Sequence, residues 1–184
     1  MSDFIQIKAF DDDKREVEGW ATRASEDRMA DIVVPRGAVY RLPLPFLLDH
    51  DREKAVGTVD RVEVSDVGIR FWAKIKKIAE PGKAKELTDY AWDLLKSGLR
   101  SSVSIGFRAL DMEQIPNSYG IKYKSWEWLE LSAVSIPAHA DARVTAVKSF
   151  GDTLITVQRD APKTIPLINH KTIPPAGIPL VRAK

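Results

Sequence analysis

The stretch 102–107, Ser-Val-Ser-Ile-Gly-Phe, alternates apolar Val103, Ile105 and Phe107 with Ser102, Ser104 and Gly106. A period of two belongs to a strand with one buried face, because successive side chains leave the backbone on opposite sides. The apolar set is expected to face a core, which puts Ser102 and Ser104 on the other surface. Gly106 leaves that same surface without a side chain, so another group can approach the backbone closely. The alternation recurs at 56–64 and 69–75, with Ser65-Asp66-Val67-Gly68 between them as a hairpin turn. A chain so patterned is committed to sheet.

The remaining segments fit around that pattern. Residues 4–9 and 17–21 flank the acidic turn Asp11-Asp12-Asp13-Lys14 and read as a further hairpin. Residues 31–37 are a short apolar run stopped by Pro35 and Gly37. Residues 42–48 are another, which their prolines confine to a sheet edge or the start of a strand; it ends in Asp49-His50-Asp51. Residues 83–97 carry Ala84, Leu87, Ala91, Leu94 and Leu95 at helical spacing, and Gly98 stands where a glycine closes a helix. Residues 111–120 read as a polar turn region. Residues 121–136 read as one or two strands, with Leu129, Leu131 and Ala133 on one face and Trp128, Glu130 and Ser132 on the other. Prolines cluster between Pro162 and Pro179, the composition of a tail or linker. The expectation is one α+β domain over 1–150, mainly β with one central helix, a barrel or sandwich rather than a doubly wound sheet. A Pro-rich tail follows at 151–184.

A length of 184 residues is enough for one domain with a sizeable core. The formal net charge of +2 makes no case for nucleic acid or a membrane surface. The absence of cysteine removes disulfides, thiolate metal sites and cysteine nucleophiles. No segment reads as a signal peptide or a membrane span, and no phosphate-binding glycine motif or metal-ligand spacing is present. Neither cofactor nor metal is expected. Lys74, Lys76 and Lys77 beside Trp72 alternate with Phe71, Ala73 and Ile75, which suits a solvated strand face better than a nucleic-acid platform.

Chemistry rests on a few side chains. Ser104 is either a nucleophile on a rigid strand or part of that strand's wet face. His50, flanked by Asp49 and Asp51, could be a general base at a strand end, although taken alone a surface or satisfied histidine is the better reading. Glu130 could hold a histidine in orientation, or simply face solvent. His139, after Pro137-Ala138, reads as a loop histidine, and His170 lies in the tail.

The order of these residues and their flanks resembles the prohead serine protease family of tailed bacteriophages. Glu18-Gly-Trp-Ala21 is similar to the family's early Gly-x-Ala strand, and Asp31-Ile-Val-Val-Pro-Arg-Gly-Ala38 to its Asp-x-hydrophobic-x-Pro-x-Gly-Ala element. Leu47-Leu-Asp-His50, followed by Ala55-Val-Gly57, resembles the segment with the catalytic histidine. Ser102-Val-Ser-Ile-Gly-Phe107 resembles the nucleophile strand, with Val103 where leucine is common. Leu129-Glu-Leu-Ser-Ala-Val-Ser-Ile-Pro-Ala138 resembles the Leu-x-Glu-hydrophobic-Ser-x-Val-x-x-Pro-Ala block. The usual Gly-Asp pair before the Asp31 element is missing. The resemblance covers about residues 15–147.

This resemblance implies a β-barrel with at least one packed helix, like the herpesvirus assembly protease. It implies a serine endopeptidase that cuts scaffold and major capsid precursor inside the assembling procapsid, in the host cytoplasm, and that processes itself. Ser104 would be the nucleophile, His50 the base and Glu130 its partner. His139 is the rival for the third role, because the herpesvirus enzymes use a second histidine. Arg100 and Arg143 are candidates for oxyanion assistance. The implied enzyme self-associates and needs neither nucleic acid nor membrane. Two other readings are a non-catalytic capsid-assembly module and an acyl hydrolase, the latter disfavoured by the absence of Gly-x-Ser-x-Gly.

Overall fold

The computed structural model describes residues 14–148, together with two short strands at 5–7 and 155–157. The fold is mostly β with one helix. Its strands are β1 (Ile5–Ile7), β2 (Glu16–Arg23), β3 (Ile32–Val33), β4 (Ala38–Val39), β5 (Leu44–Leu48), β6 (Asp51–Ser65), β7 (Gly68–Ile75), β8 (Ser102–Gln114), β9 (Ile121–Val134), β10 (Val144–Lys148) and β11 (Ile155–Val157). The helix, α1 (Lys83–Lys96), lies between β7 and β8.

The strands form a single sheet in the order β11-β1-β10-β2-β7-β6-β5-β9-β3, with β4 and β8 also paired to β9. Among the described residues this ladder does not close into a barrel. Its two flanks meet at one isolated bridge, Ser102 with Arg143, beside which Val103 N–H reaches the Ala142 carbonyl and Val144 N–H the Ser101 carbonyl. The hairpin expected from residues 4–21 does not form, since β1 pairs with β10 in parallel and with β11, while β2 pairs with β10 and β7. Its acidic turn, 11–13, and most of the Pro-rich tail lie outside the described residues.

The core is filled by Phe46, Ile69, Phe71, Ile75, Val103, Trp126, Trp128 and Leu131, all essentially inaccessible. Each such side chain stabilises the fold by roughly 1.5–3 kcal/mol through the apolar surface it removes from water. Helix α1 covers one end of this core with Thr88, Ala91, Trp92 and Leu95, an i, i+3, i+4, i+7 stripe. That stripe is rotated from the expected one: Ala84 is exposed, and the bulky Trp92 takes the buried position. Gly98 closes the helix at φ +72°, a left-handed conformation that costs glycine nothing.

Two departures from simple alternation position the site. Leu48 pairs with Asp51, so Asp49 and His50 form a two-residue hairpin loop, with φ of 52° and 58°. Positive φ at both central residues is what a type I′ turn requires. Although β5 contains Pro45, it is an interior strand from Phe46 onward. Pro45 escapes the ladder cost because pairing with β9 starts only at Phe46. The second departure lies between β8 and β9, where Gly106 faces Glu130 but Phe107 already faces Trp128. Leu129 is the extra residue of this β-bulge and is exposed. The bulge switches the phase of β9, so Trp126 and Trp128 bury on the same side as Leu131 and Ala133. The expected placement of Leu129 in the core and of Trp128 beside Glu130 is therefore corrected.

Candidate active site

Antiparallel neighbours that face each other put their side chains on the same surface, with Cβ atoms ~5 Å apart. Ser104 faces Ser132, and Gly106 faces Glu130. These four positions form one patch on the β8–β9 pair, opposite the core side chains Val103 and Leu131. The patch is not the wet face that alternation alone suggests: Ser104 is 8% exposed and Ser132 is fully buried. The room that Gly106 leaves is taken by the Glu130 carboxylate. A Cβ added at Gly106 would lie 1.9 Å from Glu130 Oε1.

The turn after β5 brings His50 to this patch. Parallel pairing of Leu47 with Ser132 and Leu48 with Ala133 aligns the turn with β9, and Asp49 N–H donates to the Ala133 carbonyl at 3.1 Å. The imidazole Nδ1 lies 2.7 Å from Glu130 Oε1. With an ionised carboxylate as partner, Nδ1 carries the proton, and the neutral ring keeps its lone pair on Nε2. Ser132 completes the group: it accepts the His50 backbone N–H at 3.1 Å and donates to Glu130 Oε2 at 2.7 Å. No sequence motif singles out Ser132 as a functional residue. Its one signal was the Glu130-x-Ser132 spacing, which puts both on one strand face.

Among the described residues no hydrogen bond joins Ser104 Oγ to His50, whose bonds run to Glu130 and Ser132. Catalytic hydrogen bonds are often long in a free enzyme and tighten around substrate.

The other candidates sit apart. His139 is buried, with Nδ1 accepting the Asp141 N–H at 3.1 Å and Nε2 within 3.2 Å of Ser25 oxygens. Both of its ring nitrogens are engaged away from His50. It does border the same cleft as Ser104, together with Thr22, Asp27 and Asp31. Arg100 grips the His50 turn through Asp49 Oδ2 at 2.8 Å, while its Nε is buried without a hydrogen-bond partner among the described residues. The Arg143 guanidinium is held by the Ala140 carbonyl and Asp141. Among the described residues no three His, Asp or Glu side chains gather as a metal site would need.

Comparison with known proteins decides the family. The family model described as caudovirus prohead serine protease matches residues 7–154. The chain belongs to this family of serine peptidases. The chain is 26% identical over 181 residues to the prohead protease of Escherichia phage T5, covering 91% of this chain and 80% of that protein. It is 43% identical over 182 residues to the capsid polyprotein of Pseudomonas phage PAJU2, covering 98% of this chain but only 26% of the polyprotein. Against the crystal structure of KSHV protease in complex with a hexapeptide phosphonate inhibitor, the TM-score is 0.41 at 14% identity, over 71% of this chain and 63% of that one.

Two expectations follow for this chain. Gly106→Ala should leave the fold intact, because the new methyl group meets the movable end of a side chain. The Glu130 carboxylate must then leave His50, and misplacement on this scale costs turnover on the order of 10²-fold. Circular dichroism with a cleavage assay checks this, and wild-type turnover in the folded variant rejects it.

The second concerns pH. The His50 pKa is raised above the ordinary 6.5 by its hydrogen bond to Glu130; partial burial opposes this, and the charges of Glu130 and Asp49 add to it. The role of base proposed for His50 needs a neutral ring, so kcat/KM should rise with pH through a midpoint above 6.5. The same pair stabilises the fold fully below pH 6.5, where the unfolded imidazole is also protonated, and that contribution is lost as pH climbs through the raised value. Melting curves of the parent and Glu130→Gln should therefore converge as pH rises across this window. A constant gap rejects the coupling.

Proposed function

We propose that this chain is the endopeptidase that matures a phage procapsid by cutting scaffold and major capsid precursor. The observation that carries the reading is the 2.7 Å contact between His50 and Glu130, poised over Gly106 and two residues along the strand from Ser104. In the proposed reaction Ser104 Oγ adds to the scissile carbonyl carbon while His50 Nε2 takes its proton. Glu130 holds Nδ1–H and stabilises the imidazolium so formed. The C–N bond then breaks, the amine leaves with the proton from His50, and a water activated by the same imidazole hydrolyses the acyl-enzyme. Arg100, just ahead of the nucleophile strand, and Arg143, bridged to Ser102 at its start, are proposed to support the oxyanion. A fold like the herpesvirus assembly protease, its sheet rolled toward a barrel, belongs to the same reading.

A capsid precursor as substrate is supported by the Pseudomonas phage relative, in which the matching region forms about a quarter of a capsid polyprotein. We place the enzyme inside the procapsid, in the cytoplasm of the host, acting as a homo-oligomer on protein rather than on nucleic acid or membrane. Removal of the tail at 151–184 by self-cleavage is part of the same proposal. Intact-mass measurement of the matured protein checks that step, and a full-length C-terminus excludes it.

The direct test is co-expression with the phage's own scaffold and capsid precursor, with and without Ser104→Ala. Shortened products only with the parent support the reading. Normal shells with uncut products in both cases would favour a non-catalytic assembly module.

A further inference from the structure

We propose that Ser132 is a positioning residue of the catalytic apparatus, using one hydroxyl to fix the His50 backbone and the Glu130 carboxylate relative to each other. The inference rests on the triad assigned above and concerns what holds two of its members. Four observations converge on it. The Ser132 Oγ accepts the His50 backbone N–H and donates its single proton to Glu130 Oε2. The remaining carboxylate oxygen, Oε1, is thereby left to the imidazole Nδ1. Ser132 is fully buried, so water cannot substitute for its hydroxyl. His50 sits at φ +58°, a conformation a non-glycine residue keeps only when its surroundings hold it.

The geometry forms a closed ring: backbone of His50, hydroxyl of Ser132, carboxylate of Glu130, imidazole of His50. Without the hydroxyl, the carboxylate can rotate about its last bonds toward the solvent side. The loop residue also loses an anchor. Glu130 itself is only 14% exposed, so its anchored orientation is set by few partners. The charged groups facing the imidazole are Glu130 from β9 and Asp49 from its own turn, with Arg100 holding Asp49 from the far side.

The test labels Ser104 in the full chain with a fluorophosphonate and follows the rate across pH by intact mass. This reads nucleophile activation without any peptide substrate, and Ser104→Ala serves as the blank. Ser132→Ala and Ser132→Cys, which removes the oxygen but keeps the shape, are expected to label on the order of 10²-fold more slowly, the cost of misplacing a catalytic group. Their pH midpoints should fall toward that of a free imidazole. Ser132→Thr keeps a hydroxyl and should stay within a few-fold of the parent with its midpoint unmoved. Labelling of folded Ser132→Ala or Ser132→Cys at the parent's rate and midpoint, while Glu130→Gln is slow, overturns the role of Ser132 and leaves the triad standing. Slow labelling by Ser132→Thr together with normal labelling by Ser132→Cys also overturns it. A parent that takes no label at Ser104, or one that Glu130→Gln leaves unaffected, rejects the triad itself.

Discussion

Ser104→Ala should fold like the parent and lose turnover on the order of 10⁶-fold, the loss that follows when a serine nucleophile is removed. The size follows from the mechanism. In the proposed mechanism His50 and Glu130 act only through the oxygen they activate, so without it they contribute nothing further. What remains is rate enhancement from binding and oxyanion stabilisation alone. The fold should survive because the change removes one oxygen that makes no protein hydrogen bond among the described residues, on a strand anchored by Val103 in the core and by pairing with β9. Thermal melting and cleavage of a synthetic precursor peptide, measured side by side, check both halves. Cleavage within tenfold of the parent would show that another residue attacks.

Replacing Glu130 with glutamine should cost on the order of 10⁴-fold in kcat, the loss seen when a serine protease's carboxylate becomes an amide. The shape is kept, but the amide no longer stabilises a charged imidazole and can present its NH₂ to Nδ1, turning the ring into the wrong tautomer. His139→Asn should cost less than about tenfold, because a single asparagine oxygen can still take the Asp141 N–H that His139 now accepts. The two variants are a matched pair: a larger loss from His139→Asn than from Glu130→Gln would move the third role to the second histidine.

Much of this arrangement is legible in the sequence. The alternation around Val103 and Ile105 put Ser104 and Gly106 on one surface, and the bare position at Gly106 pointed to a close approach. The β6–β7 hairpin and the helix ending at Gly98 followed from local chemistry that packing did not override. Four features escaped for physical reasons. The Asp49-His50 turn lacks glycine, yet Asp and His are among the few other residues that accept positive φ. The bulge at Leu129 changes which side of β9 is buried, and one apolar residue in an apolar stretch carries no mark of it. β1 looks like half of a hairpin with β2, but its partners come from 140 residues further along, beyond the reach of any local pattern. Ser132 looked like any strand serine because its role depends on a turn eighty positions earlier.

The pairing of β5 with β9 has a consequence for timing. His50 reaches the patch only because Leu47 and Leu48 lie parallel to Ser132 and Ala133, more than eighty residues later in the chain. Parallel contacts over such separations close late in folding, since a long loop must be ordered before they give anything back. A ribosome that has released only the first hundred or so residues therefore carries His50, the proposed base, with no carboxylate to hold it. On the proposed mechanism no cleavage is expected until nearly the whole of β9 has emerged and docked. In the proposed mechanism this topology delays activity until the strand that carries Glu130 is in place.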